Sequence, residues 1–334
     1  MRPAPLALTQ GDPAGVGVEI ALRAWLRRTP ETAPFFLVGD PDYVRAAAAR
    51  LGMATPICEA PPSGARKVFQ DALPMVRLSR PVKGAFGRPA DEDAFGVIEA
   101  IETAVALVRA GEASALVTNP ISKDALYRAG FQHPGHTEFL GELTQRHWGA
   151  TVRPVMMLWS EDLAVVPVTI HIALRDVFGE LSVALLTETG RIVAQDLRRR
   201  FAVASPRLAV AGLNPHAGEN GAMGNEEDEL IRPAIERMRS DGLDVVGPLP
   251  ADTMFHAGAR ARYDAALCMY HDQALIPIKT LAFDKAVNVT LGLPFVRTSP
   301  DHGTAYDIAG QGIASCASLE AAIALAWRLA QSPT

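Results

Sequence analysis

Three apolar runs in this chain stop at a histidine. Ala265-Ala266-Leu267-Cys268-Met269-Tyr270 ends in His271 with Asp272 behind it, Ala164-Val165-Val166-Pro167-Val168-Thr169-Ile170 ends in His171, and Leu208-Ala209-Val210-Ala211-Gly212-Leu213-Asn214-Pro215 ends in His216. Neutral imidazoles ligate divalent metals, and in α/β proteins ligands gather beyond the carboxyl ends of the sheet strands. Three strand-like runs that each deliver an imidazole there point to one shared three-histidine metal site. A single histidine at a strand end is more often a hydrogen-bonded structural residue, so the reading rests on the common placement. The long intervals exclude zinc-finger or His-Glu-x-x-His spacing. Tertiary structure, or a second subunit, has to assemble the site.

Other polar residues stand where they could meet a ligand. Lys279 and Arg297 flank apolar segments and suit a phosphate or carboxylate, Arg by a bidentate fork and Lys as a point charge; a solvated surface is the plain alternative for each. His133-Pro134-Gly135-His136-Thr137-Glu138 is either a substrate-contacting loop or a turn with a capped helix start at Thr137. Asp252, in the loop Gly247–Thr253, could meet a metal or cap a helix. The acidic run Glu226–Glu229 fits a first helical turn without any catalytic role.

These residues need elements to carry them. Leu6–Thr9 reads as a strand, Gln10–Gly17 as a glycine-rich loop and the stretch from Glu19 as a helix, which is either a phosphate-binding geometry or a tight βα turn. The spacing matches neither G-x-G-x-x-G nor a P-loop. Phe35–Asp40 reads as a strand and turn, Tyr43–Leu51 as a helix, and Pro61–Pro89 as loops. Ile98, Ile101, Val105 and Val108 recur at helical spacing before a strand at Ala115–Thr118, Asp176–Arg200 reads as mostly helical, and a last helix runs from about Leu319 to Leu329. This alternation is the signature of an α/β fold.

The 334 residues suit two α/β domains. A formal net charge of −5 argues against a broad nucleic-acid or anionic-membrane surface. Cys58, Cys268 and Cys316 are widely separated and form no C-x-x-C pair, so neither a disulfide framework nor a thiolate zinc site is indicated. No signal-peptide pattern and no apolar stretch of membrane-spanning length are present. The expectation is a cytoplasmic protein with no membrane or nucleic-acid partner.

Longer strings resemble the 4-hydroxythreonine-4-phosphate dehydrogenases of vitamin B6 synthesis over essentially the whole chain. They are Gly-Asp-Pro-Ala-Gly-Val-Gly from Gly11, Thr-Asn-Pro-Ile-Ser-Lys from Thr118, Gly-His-Thr-Glu from Gly135, Asn-Pro-His-Ala-Gly-Glu from Asn214, Pro-Leu-Pro-Ala-Asp-Thr from Pro248, Tyr-His-Asp-Gln from Tyr270 and Asn-Val-Thr-Leu-Gly-Leu-Pro from Asn288. The tail His302–Gly312 is similar to the cofactor loop of the isocitrate and isopropylmalate dehydrogenases, which bind NAD without G-x-G-x-x-G. The string Leu275-Ile276-Pro277-Ile278-Lys279 departs from the family pattern while the lysine keeps its place; this bears on substrate detail and not on reaction class.

The resemblance implies two α/β domains with an interdomain cleft, isocitrate/isopropylmalate dehydrogenase-like. Residues 1–125 with 282–334 would carry the cofactor loop, and 126–281 the metal histidines and dimer interface. It implies a homodimer with the active site at the interface, where His171 and His216 of one subunit and His271 of the other hold a divalent metal, zinc first, cobalt or magnesium next. His136, Thr137, Lys279, Asn288 and Arg297 match the substrate contacts. Asp252, Asp272 and Lys279 are candidates for orienting ligands or moving protons, and His302, Gly303, Ala305 and Asp307 for contacting NAD or NADP.

The implied reaction oxidises 4-phosphooxy-L-threonine and releases CO2, leaving 3-amino-2-oxopropyl phosphate. The nearest rival is a sister dehydrogenase of 4-phospho-D-threonate or 4-phospho-D-erythronate. A metal-dependent hydrolase would use the histidines but not the tail loop, and a phosphate-binding acyltransferase would not require the histidines.

Overall fold

The computed structural model describes residues 3–131, 133 and 135–332. The chain forms two compact units, Met1–Pro154 with Leu293–Gln331 and Val155–Gly292 with Ser332–Thr334. Its strands are β1 (Leu6–Thr9), β2 (Phe35–Gly39), β3 (Ile57–Glu59), β4 (Leu73–Arg77), β5 (Leu116–Thr118), β6 (Val155–Trp159), β7 (Ala164–Pro167), β8 (Arg207–Ala211), β9 (Asp244–Leu249), β10 (Ala265–Cys268), β11 (Val287–Leu291) and β12 (Arg297–Pro300).

In the first unit the order is β3-β4-β2-β1-β5-β12 and each pairing is parallel. Parallel strands need crossovers, and the helices that provide them cover the faces, so the central strands are apolar along their length. β1 and β2 are accordingly buried at each residue. The helix Asp93–Arg109 sets Val97, Ala100, Ile101, Ala104 and Val105 against Phe36 and Leu116, and the helix His136–Trp148 adds Phe139, Leu140 and Leu143 to the same core.

That packing explains where the division falls. A boundary at 125/126 would strip Leu126 and the His136–Trp148 helix from the core they complete; the unit runs on to Pro154. At the other end, β11 pairs antiparallel with β6 and holds residues through Gly292 in the second unit, while Leu293 and Phe295 return to the first core. Pro61–Pro89, read as loops, contains the helix Pro62–Val68 and β4. Pro62 is compatible with a first helical position because its missing N–H has no partner there anyway, and Leu73 and Met75 are fully buried where β4 pairs with β2.

The second unit has the order β11-β6-β7-β10-β8-β9. β11–β6 and β6–β7 are antiparallel, whereas β7–β10, β10–β8 and β8–β9 are parallel. The three strands that precede the histidines, β7, β10 and β8, are therefore adjacent and point the same way. The helix His271–Ala282 packs Ala274 and Ile278 onto Val165, Ala209 and Ala266 of those strands.

Candidate active site

Parallel alignment of β7, β10 and β8 delivers His171, His271 and His216 to one edge of the second unit's sheet. The segments are tied together just before the imidazoles. Thr169 Oγ1 donates to the Met269 carbonyl at 2.7 Å, and the Met269 N–H donates to Gln273 Oε1 at 2.7 Å. Gln273 Nε2 then reaches the Gly212 carbonyl at 2.7 Å. Gln273, two residues past His271 and buried, thus links the β10 segment to the end of β8.

The rings of His171 and His271 lie 5.5 Å apart. His271 Nδ1 meets Asp272 Oδ1 at 2.7 Å; a carboxylate there holds the proton on Nδ1 and leaves Nε2 as the ligating atom. His216 stands on unusual backbone: residues 216–220 have φ between 45° and 80°. Left-handed geometry costs about 1–2 kcal/mol for each non-glycine residue, so surrounding contacts must hold this turn. Among the described residues, no three His, Cys, Asp or Glu side chains form a metal-holding group within the chain. The donor set nevertheless fits a divalent cation: three imidazoles on adjacent strand ends, one already oriented by a carboxylate.

The first unit contains a different chemistry. Arg297 opens β12 beside Leu116, and its side chain runs along β5 to Thr118, where Nε and Nη2 donate to Oγ1 at 3.2 and 2.6 Å. Arg297 is 3 % exposed, and burial pulls its guanidinium down to about 10. His136 Nδ1 faces Nη2 at 3.5 Å. Burial first, then the charges of Arg297 and Lys123, push the His136 imidazole well below its ordinary range, so it is neutral at pH 7. Facing a guanidinium that can only donate, Nδ1 is the acceptor and Nε2 carries the proton. That Nε2 is sealed from solvent and has no hydrogen-bond partner among the described atoms. Thr118, which the sequence reading did not assign to the site, was marked by its place at the carboxyl end of a strand and as the start of the string Thr-Asn-Pro-Ile-Ser-Lys.

The glycine-rich loop resolves as a tight turn. A Cβ on Gly15 would lie 2.8 Å from the Thr304 carbonyl, and one on Gly11 2.7 Å from the Pro120 carbonyl; Val16 N–H already donates to Thr304 O at 2.9 Å. The Val16 amide is thus taken by the tail loop at Thr304. That loop is anchored by Tyr306 Oη donating to Asp12 Oδ2 at 2.5 Å, and by the Gly310 and Ala314 amides, each 3.0 Å from the buried Glu19 carboxylate. Burial and Asp12 push the Tyr306 phenol up to about 12. His302, Gly303 and Asp307 are exposed and Ala305 is half-buried, with φ 45°.

The remaining residues are more scattered. Thr137 is the second residue of its helix, whose cap is Gly135, so the capped start expected at Thr137 is not formed. Asp252 is exposed in the turn after β9 and caps no helix, the next one beginning after His256. Asn288 is half-buried on β11. Lys279 Nζ lies 5.8 Å from the Phe283 ring centroid. Of the five residues matched to the substrate, His136, Thr137 and Arg297 belong to the first unit, Lys279 and Asn288 to the second.

Parallel strands alternating with helices, with polar side chains at the carboxyl ends of the strands, define an α/β protein of the class whose ligands gather there. Comparison with known proteins gives the family. Residues 31–326 match the family model described as Pyridoxal phosphate biosynthetic protein PdxA. The chain is 58% identical over 332 residues to a 4-hydroxythreonine-4-phosphate dehydrogenase of Methylorubrum populi, covering 98% of this chain and 95% of that one. It is 55% identical over 339 residues to the same-named protein of Bradyrhizobium diazoefficiens, covering 99% and 98%. A 4-hydroxythreonine-4-phosphate dehydrogenase of Klebsiella pneumoniae, solved by crystallography, superposes with a TM-score of 0.87 at 37% identity and covers 98% of this chain and 100% of that one. The chain belongs to the PdxA family: it is a dehydrogenase of pyridoxal phosphate biosynthesis, and as such it uses a nicotinamide cofactor.

Proposed function

We propose that the substrate is 4-phosphooxy-L-threonine, the compound named for the relatives. Its C3 hydroxyl loses a proton to the protein or solvent while the C3–H bond gives a hydride to NAD(P)⁺, and the resulting β-keto acid loses CO2 to leave 3-amino-2-oxopropyl phosphate. The observation that carries this reading is the buried Arg297 beside Thr118 and a neutral His136. A buried guanidinium is a natural partner for phosphate or carboxylate oxygens, and the His136 Nε2–H would add a neutral donor beside it. Lys279 and Asn288 are further proposed substrate contacts, and His302, Gly303, Ala305 and Asp307 are the residues proposed to contact the cofactor.

His171, His216 and His271 would hold a divalent cation, zinc by the chemistry of a nitrogen donor set, with cobalt or magnesium as alternatives. When bound, the cation supplies a Lewis acid that favours ionisation of the hydroxyl and steadies the charge developed on decarboxylation. Asp272 fixes the His271 tautomer.

The site is proposed to be completed across a homodimer, with His171 and His216 from one subunit and His271 from the other. Exposed apolar residues on the segments that follow His171 and His271 support a partner surface: Leu174 is 61% exposed, Phe178 51% and Ile276 65%. The 5.5 Å approach of His171 to His271 within one chain favours a second assignment, in which these two act together and the partner supplies His216. The protein is placed in the cytoplasm, a reading supported by three free cysteines.

The substrate is tested by following NADH absorbance with NAD⁺ and a divalent metal. Turnover of 4-phosphooxy-L-threonine well above that of 4-phospho-D-erythronate and 4-phospho-D-threonate is expected. Preference for a sugar acid phosphate would overturn the substrate, and no reduction with any of the three would overturn the reading.

A further inference from the structure

We propose that Glu227 is the positioning residue for His216. The inference rests on the reading of His216 as a metal ligand. Glu227 is 2 % exposed and is the first residue of a five-residue π-helical turn, Glu227–Ile231, a rare geometry concentrated at functional sites. Its carboxylate faces the backbone that leads into the histidine. Oε1 accepts from the Leu213 and Asn214 amides, both at 2.7 Å, and Oε2 from Asn214 Nδ2 at 2.9 Å. Asn214 Nδ2 also donates to Glu226 Oε2 at 2.6 Å.

Four consequences converge on one residue. The two amides bound by Oε1 would otherwise lack an acceptor at the point where β8 has ended and the chain turns away from its ladder. A carboxylate oxygen accepts both amides at once, which one hydroxyl lone pair cannot match. The left-handed turn starts two residues later, at His216, and Glu227 also underlies it: a Cβ on Gly218, φ 80°, would fall 2.6 Å from Glu227 Oε2. Gly212, just before the turn, is packed equally tightly, since a Cβ there would meet Ala217 Cα at 2.8 Å and Glu227 Oε1 at 3.2 Å. The carboxylate is thus the post around which residues 212–218 wrap, and it sets the direction in which His216 leaves the sheet edge. Its placement thirteen residues from Asn214 explains why no local spacing marks it.

The test is a titration of metal-stripped full-length protein with Co²⁺, read from the visible absorption of the bound ion, for wild type, His216→Ala, Glu227→Ala, Glu227→Asp and Glu227→Gln. Glu227→Ala is expected to weaken Co²⁺ binding at least tenfold. Glu227→Gln, whose Oε1 still accepts both amides while its Nε2 gives up the Asn214 Nδ2 bond, is expected to bind Co²⁺ at least threefold more tightly than Glu227→Ala, a rescue that loss of general stability would not show. Should Glu227→Ala fail to fold, Glu227→Asp carries the same comparison, because it withdraws the carboxylate by one methylene. Co²⁺ binding that depends on His216 but stays within threefold of wild type in folded Glu227→Ala, or in Glu227→Asp where the alanine variant does not fold, overturns the proposal alone. No binding by wild type, or unchanged binding by His216→Ala, removes the metal reading and this proposal with it.

Discussion

The two units hold their polar chemistry in opposite states. In the first, Arg297 is buried, fixed by Thr118 and lowered to about 10 by desolvation, and the neighbouring imidazole is held neutral. In the second, His171 and His216 are exposed and His271 is partly so. A cation enclosed by a chain's own strands is a recognition point finished by folding. Imidazoles on exposed loop ends are donors whose arrangement is completed by what binds them. The difference separates what one chain preorganises, the corner proposed to bind an anion, from what it is proposed to present for assembly.

The largest effect sharpens the second half of that contrast. His216→Ala should reduce turnover by at least three orders of magnitude and lower bound metal by elemental analysis, while circular dichroism reports an intact fold; full activity with unchanged metal would break the comparison. Arg297→Met should lower kcat/KM about 100-fold or more, because a bidentate charged contact contributes about 3 kcal/mol, and Arg297→Lys should not restore it, since an ammonium lacks the fork. A value within threefold of wild type would remove Arg297 from the site. Asp272→Asn should weaken metal binding about tenfold to a hundredfold without changing affinity for NAD⁺, as loss of a carboxylate behind a metal histidine does. Equal metal affinity would sever Asp272 from His271. Thr118→Val, nearly isosteric, leaves buried guanidinium donors unmatched and should cost about 1–3 kcal/mol of stability in chemical denaturation.

The smallest effect is a slope. The folded His136 resists protonation while the unfolded residue takes a proton near its ordinary value of 6.5. Below that value the unfolded state binds more protons, so this residue's contribution is present above pH 6.5 and is lost progressively as pH falls below it. Denaturation series for wild type and His136→Asn should show a shallower acid loss in the variant. Parallel curves would mean that the imidazole is protonated in the folded protein.

The sequence carried the chemistry better than the geometry that supports it. His171, His216 and His271 announced themselves because each ends an apolar run, and runs of that kind become adjacent parallel strands. Arg297 was visible as a charge beside an apolar segment, but its burial was not, because the strand on its far side comes from residues 116–118. The roles of Glu19, Glu227 and Gln273 were not legible for a related reason: each acts on backbone amides or carbonyls, and a backbone partner leaves no residue type to find. The acidic run Glu226–Glu229 suggested only a helix dipole, although one of its members is a buried brace. The boundary expected at 125/126 came from resemblance, and the shared core of Phe139, Leu140 and Leu143 with Phe36 sets it later.

The central claim, that the second unit's donors are completed by another copy of the chain, is tested most directly by subunit complementation. Inactive His171→Ala and inactive His271→Ala proteins are mixed under conditions of proven exchange and assayed for NADH production. With His171 and His216 from one subunit and His271 from the other, half of the randomly formed dimers regain one of two sites, so about a quarter of wild-type activity should return. If none returns while His216→Ala mixed with His271→Ala does recover, His216 is the residue that crosses; if neither mixture recovers, the claim of a shared site is contradicted.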